Sequence, residues 1–220
     1  MNPENIKPRP EKPLIELEQK IEAEIKKRVM EFLEKGKPNW DVPHTLQVVD
    51  WMKQLLTHEG GNGRVLIPAA YFHDIGYSLT NVAGKKVTAW QKILDVKKEH
   101  AVLGAQKAEE ILRELGGFSE EEIKEIVRLV LVHDNLWEMP NKEFTADGFN
   151  DLMIVEADSL GMIDPALPQN FSPKDRRKFI EEEFVPQRLP LFRSEFGQAK
   201  VQELLQATNE QLERRFKEEE

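Results

Sequence analysis

Cysteine is absent from this chain of 220 residues. That excludes disulfides, thiolate nucleophiles and thiolate metal ligands, and leaves His, Asp and Glu to hold any metal ion. Such a composition suits a reducing cytosol, and a soluble cytoplasmic protein is expected. Basic residues are also scarce: 31 Lys and Arg stand against 40 Asp and Glu, a formal charge of -9. This balance argues against nonspecific binding to a phosphate backbone or an anionic membrane, so neither nucleic acid nor membrane is an expected partner. Apolar runs of about 18 residues, the length that spans a bilayer, are missing. The first 13 residues are polar and carry Pro3, Pro8, Pro10 and Pro13, which reads as an extended tail rather than a secretory leader. Strand alternation, internal repeats, a phosphate-cradling glycine loop ending in Lys-Ser/Thr and a dinucleotide fingerprint are all lacking.

What is present is helical periodicity almost throughout, so the expected fold is all-α. Residues 14–220 are read as one domain, with a core over about 43–161 and C-terminal helices over 172–218 packed on it or serving contacts in a homo-oligomer. Apolar residues from Leu14 to Leu33 predict a first helix ending near Gly36, and a second is expected from His44 to His58. Val65 to Phe72 follows a glycine turn, with Pro68 tolerable in a first helical turn. Gly76 is expected to end that helix. Tyr77 to Val96 has no clean period and reads as a long loop with a short helix near Trp90 to Leu94. Lys98 to Leu115 carries a small-residue stripe of Ala101, Gly104, Ala105 and Ala108. Ser119 and Glu122 form a capping box for the next helix, and Asp147 is placed to cap the one containing Leu152 to Leu160. Ser172-Pro173 starts a further helix, Pro186 and Pro190 interrupt it, and Gln198 to Lys217 forms the last.

The chemistry concentrates at Tyr71-Phe72-His73-Asp74-Ile75-Gly76, where an imidazole and a carboxylate close an apolar helix. A buried carboxylate is costly unless it is paired or coordinates a metal, and neutral imidazole is the commonest metal ligand. His44 lies in a first helical turn, His100 near the start of another helix, His133 on the buried face of a third, and Asp158 on the core side of a fourth. Only His58, of the five histidines, falls outside this pattern. An all-nitrogen-and-oxygen set of six suits Mn, Fe, Zn, Ni or Mg, and suits two divalent ions with a bridging carboxylate better than one. Lys85, Lys86, Lys92, Lys97 and Lys98 place positive charge close in sequence to this set, and Arg176, Arg177 and Lys178 form a second basic cluster that reads mainly as a solvated face.

In the order His44, His73-Asp74, Asp158, over roughly Pro43 to Gly161, the chain resembles the HD-domain superfamily of metal-dependent phosphohydrolases. The resemblance implies a helical bundle with a metal site in its core, those four residues as ligands of a first ion, and Asp74 as a bridge to a second. His100 and His133 match the additional histidines of the two-metal members. Tyr77 stands where the cyclic-dinucleotide phosphodiesterase branch has a lysine, and that branch's Gly-Tyr-Pro motif is missing. The implied activity is hydrolysis of a phosphate ester or nucleotide by a metal-activated water, with Asp134 or a loop lysine assisting proton transfer and Lys97, Lys98 and Tyr77 as candidate substrate contacts. The same ligand order also occurs in the superfamily's mixed-valent di-iron oxygenases, the alternative activity; a nucleotide-sensing module is a third reading.

Overall fold

In the computed structural model, residues 14–37, 39–81, 83–84, 96–136, 148–167 and 171–219 are described. Helix α1 spans Gln19–Leu33, α2 Asp41–Glu59, α3 Gly63–Phe72, α4 Lys97–Leu115, α5 Glu120–Val132, α6 Phe149–Ile163, α7 Pro173–Phe179 and α8 Glu195–Glu219. Short 3-10 helices cover Ile75–Leu79 and Leu189–Leu191, and a π-helix covers Ile180–Arg188. The fold is all-α. Its only strands among the described residues are two-residue pieces, Leu14–Ile15 (β1) and Gly61–Asn62 (β2), paired in parallel.

The first predicted helix therefore begins later than its apolar spacing suggests. Leu14 and Ile15 are extended against Gly61 and Asn62 instead, and a pairing of two residues is too short to leave a period in the sequence. Gly61 has a φ of 122°, and a Cβ there would press on Phe149. Helix α2 starts at Asp41, so Pro43 sits in its first turn, where its missing N–H costs nothing. His44 follows directly and is buried. Pro68 lies in the second turn of α3, one turn deeper than expected, where its ring removes the bond to the Arg64 carbonyl. The Trp90 to Leu94 helix and the Asp147 cap lie outside the described residues; α6 takes Gly148 as its N-cap.

Two helix starts follow the sequence closely. Ser119 accepts from the Glu122 amide while the Glu122 carboxylate accepts from the Ser119 amide, completing the capping box of α5. Ser172 accepts from the Asp175 amide ahead of Pro173; such caps stabilise a helix by about 1 kcal/mol each.

Helices α2, α3 and α6 pack together, α4 lies along α5, and α3 also packs on α5. Every residue of α6 except Asn150 is buried, because neighbours cover it on all sides. That face-free burial strands Asp151, Glu156, Asp158 and Ser159 in the interior, and each is met by a partner from another element. Glu156 accepts from the amides of Arg193 and Ser194, at 2.6 and 2.9 Å, and from the Ser194 hydroxyl. It thereby ties the start of α8 to the core. The small-residue stripe of α4 has a specific use: a Cβ at Gly76 would collide with the His100 carbonyl, and Gly104 lies against the Gly76 amide. The turn after Asp74 can approach α4 only because both positions lack a side chain.

Candidate metal centre

Six predicted residues converge at the centre of this bundle. His44 comes from the first turn of α2, His73 and Asp74 from the end of α3, His100 from the first turn of α4, His133 from the end of α5 and Asp158 from the middle of α6. All are buried. Their donor atoms fall into two groups, each able to hold a metal ion: His44, His73 and Asp158, and Asp74, His100 and His133.

In the first group the His44 Nε2 lies 3.1 Å from Asp158 Oδ1, and the His73 Nε2 lies 3.9 Å from that same oxygen. In the second, the two Nε2 atoms of His100 and His133 are 3.3 Å apart. Donors about 2.1 Å from one ion are separated from each other by roughly 3–4 Å, so both groups have coordination dimensions. Asp74 serves both. Its Oδ2 lies 3.6 Å from His73 Nε2 and 3.9 Å from His44 Nε2, whereas its Oδ1 lies 3.5 Å from His100 Nε2 and 3.8 Å from His133 Nε2.

The other ring nitrogens orient these donors. His73 Nδ1 lies 2.8 Å from the Ala70 carbonyl oxygen, His133 Nδ1 2.7 Å from that of Val130, and His100 Nδ1 3.4 Å from that of Val96. A carbonyl can only accept, so these contacts hold the proton on Nδ1 and turn the Nε2 lone pair inward, as backbone carbonyls do for metal-bound histidines. The consequence is severe without a cation: the His73 Nε2 is buried with no hydrogen-bond partner, and the His100 and His133 Nε2 atoms face each other.

Electrostatics follow the same division. Burial favours the neutral form of His100 and lowers its pKa to about 4. Burial opposes protonation of His133 too, but the carboxylates of Asp74, Asp134 and Asp158 outweigh it and push its pKa up to about 9. Burial likewise lowers the pKa of His73, the Asp74 and Asp158 carboxylates only partly offsetting it. Burial would raise Asp74 and Asp158, but His73 and Lys37 hold Asp74 well below the usual carboxylate range, and Arg188 and His44 do so for Asp158. At neutral pH the metal-free second group thus carries one dissociable proton, on His133. An ion entering the second group must displace that proton. Between pH 6 and about 9 its apparent affinity is expected to rise about tenfold per pH unit with one proton released. Calorimetric titration with Mn2+ in buffers of different ionisation enthalpy measures the release; proton-free uptake would contradict it.

Two further cations reach this centre. Arg188, buried at the end of the π-helix, donates to Asp158 Oδ2 at 2.7 Å, to Ser159 Oγ at 3.1 Å and to Asp134 Oδ1 at 2.9 Å. Asp134, the residue after His133, keeps its Oδ2 3.8 Å from both His100 Nε2 and His133 Nε2. Lys37, 1% exposed, comes from the turn before α2 and lies 3.0 Å from Asp41 Oδ1 and 3.8 Å from Asp74 Oδ2. Neither Lys37 nor Arg188 stands out in the sequence. The one available signal is the four-residue spacing of Lys37 and Asp41. Burial raises the Asp41 pKa to about 6 against the pull of Lys37.

Of the candidate substrate contacts, Tyr77 is buried, with its ring stacked on His100 at 4.0 Å between centroids. Lys97 and Lys98 open α4, their side chains outside the described residues, as are Lys85, Lys86 and Lys92 entirely. In the second basic cluster Arg176 is buried and donates to the Met162 carbonyl at 2.7 Å, so it is part of the packing. Arg177 and Lys178 face solvent. His58 stacks on Phe196, away from the metal centre.

No helix among the described residues is long and apolar enough to cross a membrane. Neither curated proteins nor solved structures provide a significant match to the chain. Residues 42–186, well over half of it, match the family model of the HD domain. The match runs from the turn before His44 past Asp158 and so takes in all six inward donors. HD domains bind divalent metals, and the paired His73-Asp74 at the centre of two donor groups is the feature for which the family is named: this chain belongs to the HD-domain family.

Proposed function

We propose that the protein is a metal-dependent phosphohydrolase acting on a small phosphate ester or nucleotide, with two divalent ions per chain. The observation that carries this reading is Asp74, which presents one oxygen to each donor group and so couples them as a bridge. Divalent ions held there would lower the pKa of a coordinated water and neutralise charge building on a phosphoryl group. The chain's own residues supply the rest. Asp134, held by Arg188 through Oδ1, keeps Oδ2 directed at the second group, where it can accept a proton from a water. Arg188 fixes Asp158 against α6 and prevents it from turning away from His44.

Charge balance favours an anionic substrate. Asp41 is matched by Lys37 and Asp134 by Arg188, leaving only Asp74 and Asp158 against the charge of two divalent ions. The loaded centre would carry a surplus of two positive charges, which the dianion of a phosphate monoester cancels.

Metal analysis and a phosphatase assay test this together. Protein purified without added metal and then loaded with Mn2+ is expected to bind two ions and release inorganic phosphate from a panel of phosphomonoesters and nucleotides, with activity lost in EDTA. Two irons per chain together with oxygen consumption, and no phosphate release, would instead select the di-iron oxygenase reading. Saturation at one ion would remove the bridging role of Asp74.

A further inference from the structure

Lys37 occupies a position that the metal centre does not itself require. It lies outside the segment matched to the HD domain, yet its ammonium is buried beside the Asp74 oxygen that faces the first donor group. The turn around it is built to hold it there. Asp41 Oδ2 accepts from the Lys37 backbone amide at 2.7 Å while Oδ1 meets the ammonium at 3.0 Å, so one carboxylate grips both ends of the residue. Gly36 makes room for that grip, because a Cβ there would overlap Asp41 Oδ2. The ring of Tyr77 forms the floor, its centroid 3.2 Å from Nζ.

An ammonium has three N–H groups. One faces Asp41 and another the Tyr77 ring, while Asp74 Oδ2 at 3.8 Å is beyond hydrogen-bond reach. Lys37 lines a small cavity together with His44, Asp74, Asp134 and Arg188. A cation beside a group of divalent-metal ligands is repelled once the ion is bound, unless an anion lies between them.

We propose that Lys37 is a substrate-binding residue, whose ammonium contacts a phosphoryl oxygen of the substrate lodged between it and the first donor group. This rests on the phosphohydrolase reading for its substrate, but phosphate binding can be measured without turnover. Tyr77 then acts by supporting Lys37 rather than by touching the substrate, and Asp41 is the residue that positions it.

The test uses inorganic phosphate titrated into Mn2+-loaded protein by calorimetry, with metal content determined on the same samples. Replacing Lys37 alone would leave Asp41 buried without its cation, so the informative variant is the charge-neutral pair Lys37→Met with Asp41→Asn. It is expected to keep two ions per chain and the wild-type fold, and to bind phosphate at least tenfold more weakly. Lys37→Arg, which retains the charge, should stay within a few-fold of wild type and serves as the second variant. Phosphate affinity within twofold of wild type in the neutral pair overturns the proposal, as does loss of an ion from it, which would make Lys37 a partner of Asp74 alone. Failure of wild type to bind phosphate also overturns it. Lys37-dependent phosphate binding without hydrolysis of any ester would sustain this inference while removing the phosphohydrolase reading.

Discussion

Asp74→Asn is expected to remove turnover by several orders of magnitude while leaving the helical bundle intact. Asn has nearly the same shape, so the turn that brings Gly76 against α4 is undisturbed, but one of its two terminal atoms becomes an amide nitrogen that cannot ligate. Because Asp74 gives one oxygen to each donor group, the substitution disables one group outright and halves the charge balance of the other. Loss of a partner one shell further out already costs about 10 to 100-fold in affinity or activity, and a shared ligand must exceed that. Stability in the absence of metal should change little. Asp74 is ionised and buried among Asp41, Asp134 and Asp158, and removing its charge relieves that crowding while sacrificing its attraction to Lys37 and the His133 proton. The metal-free variant should therefore melt near wild type, whereas added Mn2+ should raise the melting temperature of wild type far more than that of the variant, by mass action on the folded state. Equal metal responses, with phosphate release at the wild-type rate, would show that Asp74 bridges nothing.

Arg188→Met carries the second large effect, on stability. The guanidinium is fully enclosed and is matched to two carboxylates on different elements, Asp158 of α6 and Asp134 in the turn after α5. Removing one member of a buried ion pair typically costs about 3–5 kcal/mol because the remaining charge has neither water nor partner. Here two carboxylates are stranded beside each other and beside Asp74. A loss in that range lowers the melting temperature of a chain this size by roughly 10 °C. Divalent metal should restore much of it by neutralising the stranded carboxylates, so the deficit measured in EDTA should shrink with Mn2+. A deficit that metal does not change would mean that Arg188 acts only through packing.

The residues legible from sequence alone were those whose chemistry conflicts with their surroundings. His73-Asp74 ends an apolar helix, and His133 and Asp158 continue buried faces at helical spacing; a reader who knows only periodicity can see that each needs a partner inside. The two cations escaped for the complementary reason. Lys37 sits among a glycine, a proline and an asparagine, where no period exists to tell inside from outside. Arg188 lies between Pro186 and Pro190 at the end of a π-helix, whose repeat differs from the 3.6 residues on which face assignments depend. By sequence Arg176 belongs with its neighbours Arg177 and Lys178 to a wet surface, although its direction, set by the first turn of α7, takes it alone into the interior. The pairing of Leu14–Ile15 with Gly61–Asn62 depends on the absence of side chains at distant glycines, which a local pattern cannot express.

The π-helix from Ile180 to Arg188 also has a bearing on how this centre can change over time. A π-turn holds about one residue more than the α-turn it replaces, so a single-residue deletion at its solvent-facing Glu181 or Glu182 that converts it to an ordinary helix leaves the residues beyond it facing the same way. A deletion or insertion that the π-turn does not absorb would instead rotate every residue beyond it by about 100° about the axis. Arg188 would leave Asp134 and Asp158 while all six inward donors stayed in place. Insertion or loss of one codon in a surface segment is thus a short genetic route between a centre with its carboxylates locked and one with them free, and chains related to this one can be sorted by the length of that segment before any of their ligands are compared.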